Sequence, residues 1–486
     1  MKRTFVLMLT GIFLPLFIFA QNRLLTIDEA TGLNPALRSA SLPQLQWMGK
    51  SSTFSYVKGD ALFKGTIKSI STDTLLTLSV LNTCLGNLPD QPLKKFPSVT
   101  FLAENQFLFN SGNKYFIYDL TLKTVRMVNS CDAKAGNIDL EKSTFKIAFT
   151  RGDNLFIAFR DKEIPVTNDT IPGIVNGSER VHRNEFGITK GTFWSPKGNL
   201  LAYYRMDETQ VSEYPLVDIS QRIAAVKPVK YPMAGMTSHK VILGIYNTAS
   251  GKTIFLHTPY LQDKSVILSP AETDDMEYLT NVTWSPDEKY IYVACLNRDQ
   301  GHLKFNKYDA LTGDLVKTLF EERSDKYVEP EHAAEFLGDD PGRFIWQSAR
   351  DGFNQLYLYD SEGNLIRRLT NGPWVVTRFI KYNPLSGMVY FLCNKDHPLD
   401  SRLYALSVKK DELLQLTEAA GSHDSQISYD GNFILDKFNS ITIANQVELL
   451  DGKGKIIRIL LQNSNPLKEF NLGKMSVFPL KNEENT

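Results

Sequence analysis

The chain has 486 residues, 11% of them aromatic, which excludes a single small domain and a disordered protein. Lysine plus arginine equals aspartate plus glutamate, 54 against 54, so the formal net charge is zero. A balanced charge implies neither nucleic acid nor an anionic membrane surface as a partner. The four cysteines lie far apart and form no C-x-x-C pair, so isolated thiols are expected and neither a metal nor an organic cofactor is implied.

The N-terminus has the layout of a secretory signal peptide. Lys2 and Arg3 precede an apolar stretch at residues 5–19, and Ala20 ends it. A transmembrane anchor is the alternative, but the stretch is shorter than the ~20 residues that a spanning helix needs. Residues 1–20 are therefore predicted to be removed, and the mature chain is predicted to be exported to the periplasm or cell exterior without a membrane span.

A strand–turn–strand phrase recurs along the chain. The two clearest copies are residues 193–203, FWSPKGNLLAY, and residues 282–292, VTWSPDEKYIY. Weaker copies occupy residues 379–390 and 427–434. Proline and glycine favour a type I turn in the middle of each copy, and the flanking aromatic and β-branched residues favour paired strands.

A second phrase marks another hairpin in each unit, in which a tyrosine and an aspartate or asparagine precede a short turn. It occurs at Tyr118, Tyr246, Tyr308 and Tyr359. A period of roughly 40–50 residues with four strands per unit is typical of a β-propeller. We expect an all-β, eight-bladed β-propeller of four-stranded antiparallel blades; an array of β-sandwiches is the alternative.

Two stretches interrupt the period, at residues 164–185 and 207–236. Both carry prolines and glycines, and the second reads as an excursion from a blade. Loops on propellers commonly carry the function.

Motifs for catalysis by this chain are absent from its sequence. It contains neither G-x-S-x-G, the nucleophile elbow of serine hydrolases, nor the zinc motif H-E-x-x-H. The paired carboxylates Asp339-Asp340 and Glu321-Glu322 lie in polar stretches, and we expect all four to be solvated.

Several segments resemble the N-terminal domain of the dipeptidyl peptidase IV family, with the prolyl tripeptidyl peptidases of the Bacteroidetes among the similar members. The resemblance is most specific over residues 181–240. That run contains VHRNEFGI at 181–188, KGTFWSP at 190–196, AYYRMDE at 202–208 and KYPMAG at 230–235. Residues 328–330, VEP, and 346–352, WQSARDG, look like the same family.

This resemblance implies an eight-bladed propeller at residues 21–480, followed at 481–486 by the start of a linker to an α/β-hydrolase domain that the chain lacks. Members remove dipeptides or tripeptides after proline, and their propeller limits access and binds the substrate's α-ammonium group. That acidic anchor maps to Glu185, although Asn184 stands where dipeptidyl peptidases typically carry another glutamate. The resemblance leaves open whether Arg205 also contacts the substrate; ordinary structural pairing is favoured for Arg205, Asp207 and Glu208.

The main hypothesis is the substrate-gating half of an exported serine exopeptidase, inactive alone and partnered by a hydrolase domain and by peptides with a free N-terminus. A homodimer is left open. The alternatives are a stand-alone propeller that binds peptides or a protein without cleaving them, and a decayed product without function.

Overall fold

The structure is a computed structural model that describes residues 23–32, 34–88, 92–160, 162–181, 185–258 and 276–481. The predicted signal peptide, residues 1–20, lies outside the described residues, as do residues 482–486 of the predicted linker. No helix in the described part of the chain is long and apolar enough to cross a membrane.

Eight antiparallel sheets follow one another along the described chain and form an eight-bladed propeller, as the repeats predict. Blades 1–4 consist of β1(Gln46–Trp47), β2(Thr53–Lys58), β3(Ala61–Thr66), β4(Ile70–Thr77); β5(Val99–Ala103), β6(Gln106–Ser111), β7(Lys114–Asp119), β8(Thr124–Ser130); β9(Gly136–Leu140), β10(Ile147–Arg151), β11(Asn154–Phe159), β12(Lys162–Pro165); and β13(Ile174–Asn176), β14(Thr192–Trp194), β15(Leu200–Asp207), β18(Lys240–Asn247), β19(Lys252–Phe255). A separate ribbon consists of β16(Glu213–Asp218) and β17(Ala225–Lys230).

Blades 5–8 have the same four-stranded order without insertions. They consist of β20(Tyr278–Trp284), β21(Tyr290–Leu296), β22(His302–Asp309), β23(Leu315–Arg323); β24(Glu335–Leu337), β25(Asp340–Ser348), β26(Gln355–Asp360), β27(Leu365–Arg368); β28(Val376–Asn383), β29(Met388–Cys393), β30(Arg402–Ser407), β31(Leu413–Gln415); and β32(Ser422–Ile427), β33(Phe433–Asn439), β34(Gln446–Asp451), β35(Ile456–Gln462). The helices are α1(Ile27–Ala30), a 3₁₀ turn at Pro35–Leu37 and α2(Leu78–Leu85).

Tryptophan side chains join the first strands of neighbouring blades. Trp194 in β14 donates its indole N–H to the carbonyl of Asp139 in β9, and Trp284 in β20 donates to the carbonyl of Phe193 in β14, both at 3.0 Å. Blades arranged in a ring converge at its axis, so strands that bond directly to their counterparts in the next blade are the innermost ones. The W-S-P phrase therefore marks the inner strand of a blade as well as the turn after it.

The ring closes between blades 8 and 1 without a shared strand. Trp47 donates its indole N–H to the carbonyl of Gln426 at 3.1 Å, and the Gln426 amide donates to the carbonyl of Leu45 at 2.8 Å. Four buried side chains pack together across this junction: Phe54, Tyr56, Leu435 and Leu449. Side-chain hydrogen bonds and apolar packing therefore hold blades 8 and 1 together, as they hold other neighbouring blades together.

Glycines in the turn between the third and fourth strands let a blade approach the outer part of the preceding blade. Gly313 and Gly363 have φ of 81° and 87°. A Cβ at Gly313 would lie 2.4 Å from the carbonyl oxygen of Phe255, and one at Gly363 would lie 2.2 Å from that of Leu319. Glycine is required there both for the left-handed φ and for the close packing of adjacent blades.

Gly363→Ala is expected to lower the free energy of unfolding by roughly 2–5 kcal/mol, since it adds left-handed strain to an overpacked contact between blades. Gly251→Ala is the matched control. It occupies the same turn in blade 4 with φ of 70°, but its Cβ would have only the Tyr246 hydroxyl near it, at 3.8 Å. We expect it to lose only the ~1–2 kcal/mol of strain. Urea unfolding measures both variants, and equal losses would contradict the close-packing argument.

The interruption at residues 207–236 corresponds to the β16–β17 ribbon, which is inserted between the second and third strands of blade 4. Its rings at Tyr214 and Tyr231 lie 6.1 Å apart. Apolar side chains of the ribbon are unusually exposed: Val217 59%, Ile219 83%, Ile223 84% and Val226 62%. The sequence predicted this excursion because its prolines break the blade pattern.

The structure corrects one sequence expectation about surface carboxylates. Glu322 is not solvated: it lies in β23 with its side chain 6% exposed, and it pairs with Arg350 at 2.6 Å. Glu321, by contrast, is 41% exposed, because successive residues of a strand face opposite sides. All four cysteines are free thiols, with Cys295 and Cys393 buried and the other two half-buried.

Candidate functional site

The innermost strand of blade 4 is interrupted between residues 177 and 191, where the structure describes a loop at 177–181 and 185–191. β13 before it pairs with the end of β15, and β14 after it pairs with the first half of the same strand. Gly177 donates its N–H to the carbonyl of Tyr204 at 2.8 Å, and Tyr204 donates its own N–H to the carbonyl of Gly191 at 3.0 Å. The two ends of the loop therefore meet at one residue of β15, as in an Ω-loop.

Side chains on both arms of the loop fix its position. Arg180 pairs with Glu208 at 2.6 Å, and Lys190 pairs with Asp139 of blade 3 at 3.1 Å. Val181 is fully buried. The loop is thus fastened to its own blade and to the preceding one.

The tip of the loop carries Glu185 and rests on the next blade. Phe186 and Gly187 have φ of 55° and 68°, and this turn is closed by a hydrogen bond from Ile188 N–H to the Glu185 carbonyl at 3.0 Å. The Phe186 ring lies 5.2 Å from the ring of Tyr278 at the start of β20. The Glu185 side chain is exposed, and residues 182–184 before it lie outside the described residues.

The carboxylate of Glu185 has no hydrogen bond or ion pair with any described residue, yet it lies among charged groups. Arg298 donates to the Tyr278 hydroxyl at 2.9 Å and pairs with Glu277 at 3.4 Å, so a neighbouring carboxylate engages that cation. The pKa of Tyr278 is raised, chiefly by burial, with further contributions from the charges of Glu277 and Glu185 and an opposing one from Arg298. The charge of Glu185 is therefore available to a cationic ligand.

A cavity of about 180 Å³ adjoins this cluster, and residues 236–240, Glu277 and Arg298 line it. The cavity lies between two parts of the chain. One is the segment after the β16–β17 ribbon, which includes His239, and the other is the Glu277–Arg298 pair beside Tyr278. Residues that are distant in sequence thus meet beside Tyr278, on which the tip of the loop packs.

The structure places Arg205 in the second strand of blade 4, where it binds Asp169 with Nη2–Oδ1 at 2.9 Å. No hydrogen bond or ion pair joins Arg205 to Glu185 in the part of the chain that the structure describes. Asp207 accepts hydrogen bonds from the N–H and hydroxyl of Thr209. These contacts, with the Arg180–Glu208 pair, are ordinary structural pairing that holds the base of the loop.

Comparison with known protein families gives a match that covers most of the chain. The model for the "Dipeptidyl peptidase IV (DPP IV) N-terminal region" matches residues 92–445, a span that includes the Glu185 loop and blades 2–7. The chain belongs to the dipeptidyl peptidase IV family. The resemblance inferred from the sequence is therefore confirmed.

Relatives in the dipeptidyl peptidase IV family are similar over long stretches. A probable dipeptidyl-aminopeptidase B from Talaromyces marneffei is 26% identical over 353 residues, which cover 66% of this chain and 38% of that protein. Dipeptidyl peptidase 4 from Trichophyton equinum is 24% identical over 484 residues, which cover 95% of this chain and 60% of that protein. The chain thus spans well under two thirds of the length of these curated relatives.

Solved structures agree with this assignment. A protein from Bacteroides ovatus described as a "putative dipeptidyl aminopeptidase IV" superimposes with a TM-score of 0.81 and 34% identity, over 93% of this chain and 64% of that one. Porphyromonas gingivalis dipeptidyl peptidase 4 gives a TM-score of 0.76 at 23% identity, over 96% of this chain and 66% of that one, and shows the shared fold.

Proposed function

We propose that this chain is the substrate-gating and N-terminus-anchoring propeller of an exported serine exopeptidase of the dipeptidyl peptidase IV family, which releases dipeptides or tripeptides after proline. The observation that carries the proposal is the exposed Glu185 carboxylate, which no described residue pairs with, on a loop that interrupts an inner strand. A ring of blades with such a loop at its inner side favours short, extended peptides. The N-terminal layout of residues 1–20 supports export.

Glu185 would bind the α-ammonium group of the substrate. Charge-assisted hydrogen bonds between an ammonium and a carboxylate are among the stronger ones. The turn at Phe186 and Gly187 supplies the rigidity that such an anchor needs, because Phe186 packs on Tyr278 and a Cβ at Gly187 would lie 2.3 Å from the carbonyl oxygen of Glu331. A fixed backbone at Glu185 limits the conformational entropy that is lost on binding to that of its side chain.

Glu185→Gln is expected to weaken binding of a peptide with a free N-terminus and proline at its second or third residue by roughly ten- to a hundredfold, the effect of one charge-assisted bond. Acetylation of the peptide should weaken binding to the wild type by the same factor, and the acetylated peptide should not distinguish wild type from variant. Calorimetric titration measures the binding of the free and the acetylated peptide to the wild type and to Glu185→Gln. Glu213→Gln, which removes an exposed charge on the ribbon, is the control. Unchanged affinity of the free peptide for Glu185→Gln would refute the anchor.

The peptidase part of the proposal has a separate test. The intact mass of the gene product from its own cells is measured with an assay for cleavage after proline on the same fraction. A mass well above the 55.0 kDa of this chain, together with cleavage, would support the exopeptidase. A mass near that of the chain without its first 20 residues, no cleavage, and retained peptide binding would replace it with a stand-alone peptide-binding propeller.

A further inference from the structure

A second cavity of about 180 Å³ lies at the inner side of the junction between blades 6 and 7. The residues that define its chemistry are Glu331, His332, Glu335, Gln347, Arg378 and Phe379. It is connected to the Glu185 loop through one segment, since Gly187 packs on the backbone of Glu331.

Gln347 brings a buried hydrogen-bond acceptor to this cavity. Its side chain is 6% exposed, and its amide Nε2 donates to the carbonyl of Val376 at 3.1 Å. A carbonyl can only accept, so this bond fixes which end of the amide is which. The Oε1 atom is left without a donor among the described residues. A buried acceptor in this position is strongly stabilised by a donor from a ligand.

Glu335, the first residue of β24, supplies a second acceptor. Its side chain is reached by solvent, yet burial raises the pKa of its carboxyl group. The carboxyl group is therefore in contact with water and also has many protein atoms close to it. Neither Glu335 nor Glu331 has an ion pair with a described residue.

The basic groups at the cavity do not neutralise these carboxylates. Arg378 pairs with Asp424 of blade 8 at 2.7 Å, a carboxylate that also lies 3.6 Å from Lys437 Nζ. Burial lowers the pKa of His332, against the opposing charge of Glu331, so its imidazole is largely neutral near pH 7. The cavity therefore offers a ligand acceptors and carboxylates that no described cation pairs with, while Arg378 is held by Asp424.

We propose that this cavity binds a cationic group, the guanidinium or ammonium of a basic side chain in a peptide, with Gln347 Oε1 and the Glu335 carboxylate as its acceptors. A guanidinium has five N–H donors and no acceptor, which complements a pocket of this kind. The assignment of the cation to a peptide rests on the proposed function. The binding of a cation in this cavity is independent of that function.

The test uses the full chain and Nα-acetyl-arginine amide, whose blocked amine cannot engage Glu185. Nα-acetyl-citrulline amide is the neutral probe of the same shape. Calorimetric titration should give saturable binding of the arginine probe, and at least about tenfold weaker binding of the citrulline probe. Glu335→Gln and Gln347→Leu should each weaken the arginine probe by about tenfold, whereas Glu185→Gln should leave it unchanged.

Equal binding of the two probes, or an unchanged affinity of Glu335→Gln for the arginine probe, would overturn the proposal. Glu335 is exposed, so its variant is expected to fold even if Gln347→Leu does not. Butylguanidine, which has a guanidinium but neither a peptide group nor an amine, separates the two sources of the cation. Weaker binding of butylguanidine supports a peptide ligand; binding as tight as that of the arginine probe supports the cation site and overturns its assignment to a peptide. Loss of free-peptide binding in Glu185→Gln reports on the proposed function alone.

Discussion

Glu322→Ala is expected to lower the free energy of unfolding by about 3–5 kcal/mol, because it leaves a largely buried arginine and other donors without their acceptor. The Glu322 carboxylate accepts from the Trp346 indole at 2.7 Å, the Ser348 hydroxyl at 2.8 Å and Arg350 at 2.6 Å. The Arg350 guanidinium also lies 4.5 Å from the centre of the Tyr357 ring. These contacts join the outer strand of blade 5 to the second strand of blade 6.

Glu362→Ala is the matched control for that experiment. Glu362 also pairs with lysines at the same junction, Lys307 at 3.4 Å and Lys317 at 3.7 Å, but its side chain is 60% exposed. The buried Lys307 keeps its bond to the carbonyl of Ser361 at 3.4 Å when Glu362 is removed. Because the carboxylate itself is in water, the variant should lose only about 1 kcal/mol. Urea unfolding followed by tryptophan fluorescence measures both. A loss below ~1 kcal/mol for Glu322→Ala would show that the buried pair does not hold the two blades together.

Asp436→Asn is expected to destabilise the protein by about 3–5 kcal/mol at pH 6 and to remove much of the pH dependence of its stability between pH 6 and 8. His423 and Asp436 are buried together in blade 8, with His423 Nδ1 and Asp436 Oδ2 at 2.7 Å. His423 Nε2 lies 2.9 Å from the carbonyl oxygen of Ala419. Both partners are acceptors, so both ring nitrogens must donate and the imidazole is charged.

The direction of the pH effect follows from the pKa of His423. Burial lowers this pKa, but the hydrogen bond and charge of Asp436, with the Ala419 carbonyl, raise it above the ordinary value of 6.5 despite the charge of Arg402. The stabilisation from the pair is therefore fully present below pH 6.5 and is lost as the pH rises through the folded-state pKa. The neighbouring Glu448 has a pKa raised by burial and by Asp436, against the effects of Gln446 and His423, and it acts in the same direction.

Unfolding free energies at half-unit steps from pH 5.5 to 8.5 measure this effect in the wild type and in Asp436→Asn. Asp314→Asn is the control, because Asp314 pairs with His257 at 2.8 Å but both side chains are more than 60% exposed. The control should differ from the wild type by less than ~1 kcal/mol. A wild-type stability that is constant, or that rises, between pH 6.5 and 8 would contradict a charged His423 in the folded protein.

The recurring phrases in the sequence were sufficient to predict the eight-bladed propeller. A turn such as the one after Trp284 depends on residues within a few positions of each other, since proline and the left-handed Glu288 at φ of 64° shape it locally. Strand alternation is equally local. Local reasoning of this kind did not identify Glu185, which became a candidate through the family resemblance and whose role stays a prediction.

The sequence did not show that the inner strand of blade 4 is split. Residues 174–176 lie in the stretch 164–185, which is interpreted from the sequence alone as an interruption of the blade repeat. A strand of three residues is too short to show a recognisable alternation of apolar and polar residues. The strand exists because β15 provides a partner at the register Asn176↔Arg205. The formation of this strand therefore depends on pairing with a strand about 30 residues away in the sequence.

What the sequence alone determined is therefore the architecture of each blade, because hairpins are built from neighbouring residues. What only the tertiary structure decided is how blades meet. A glycine in a turn, such as Gly363, indicates from the sequence alone a residue with φ above zero. Its close contact with Leu319 of the preceding blade is visible only in the tertiary structure. Glu322 looked solvated and proved buried, and Gln347 showed no sign of its unpaired acceptor, because burial and hydrogen-bond partners depend on residues that the chain brings together from different blades.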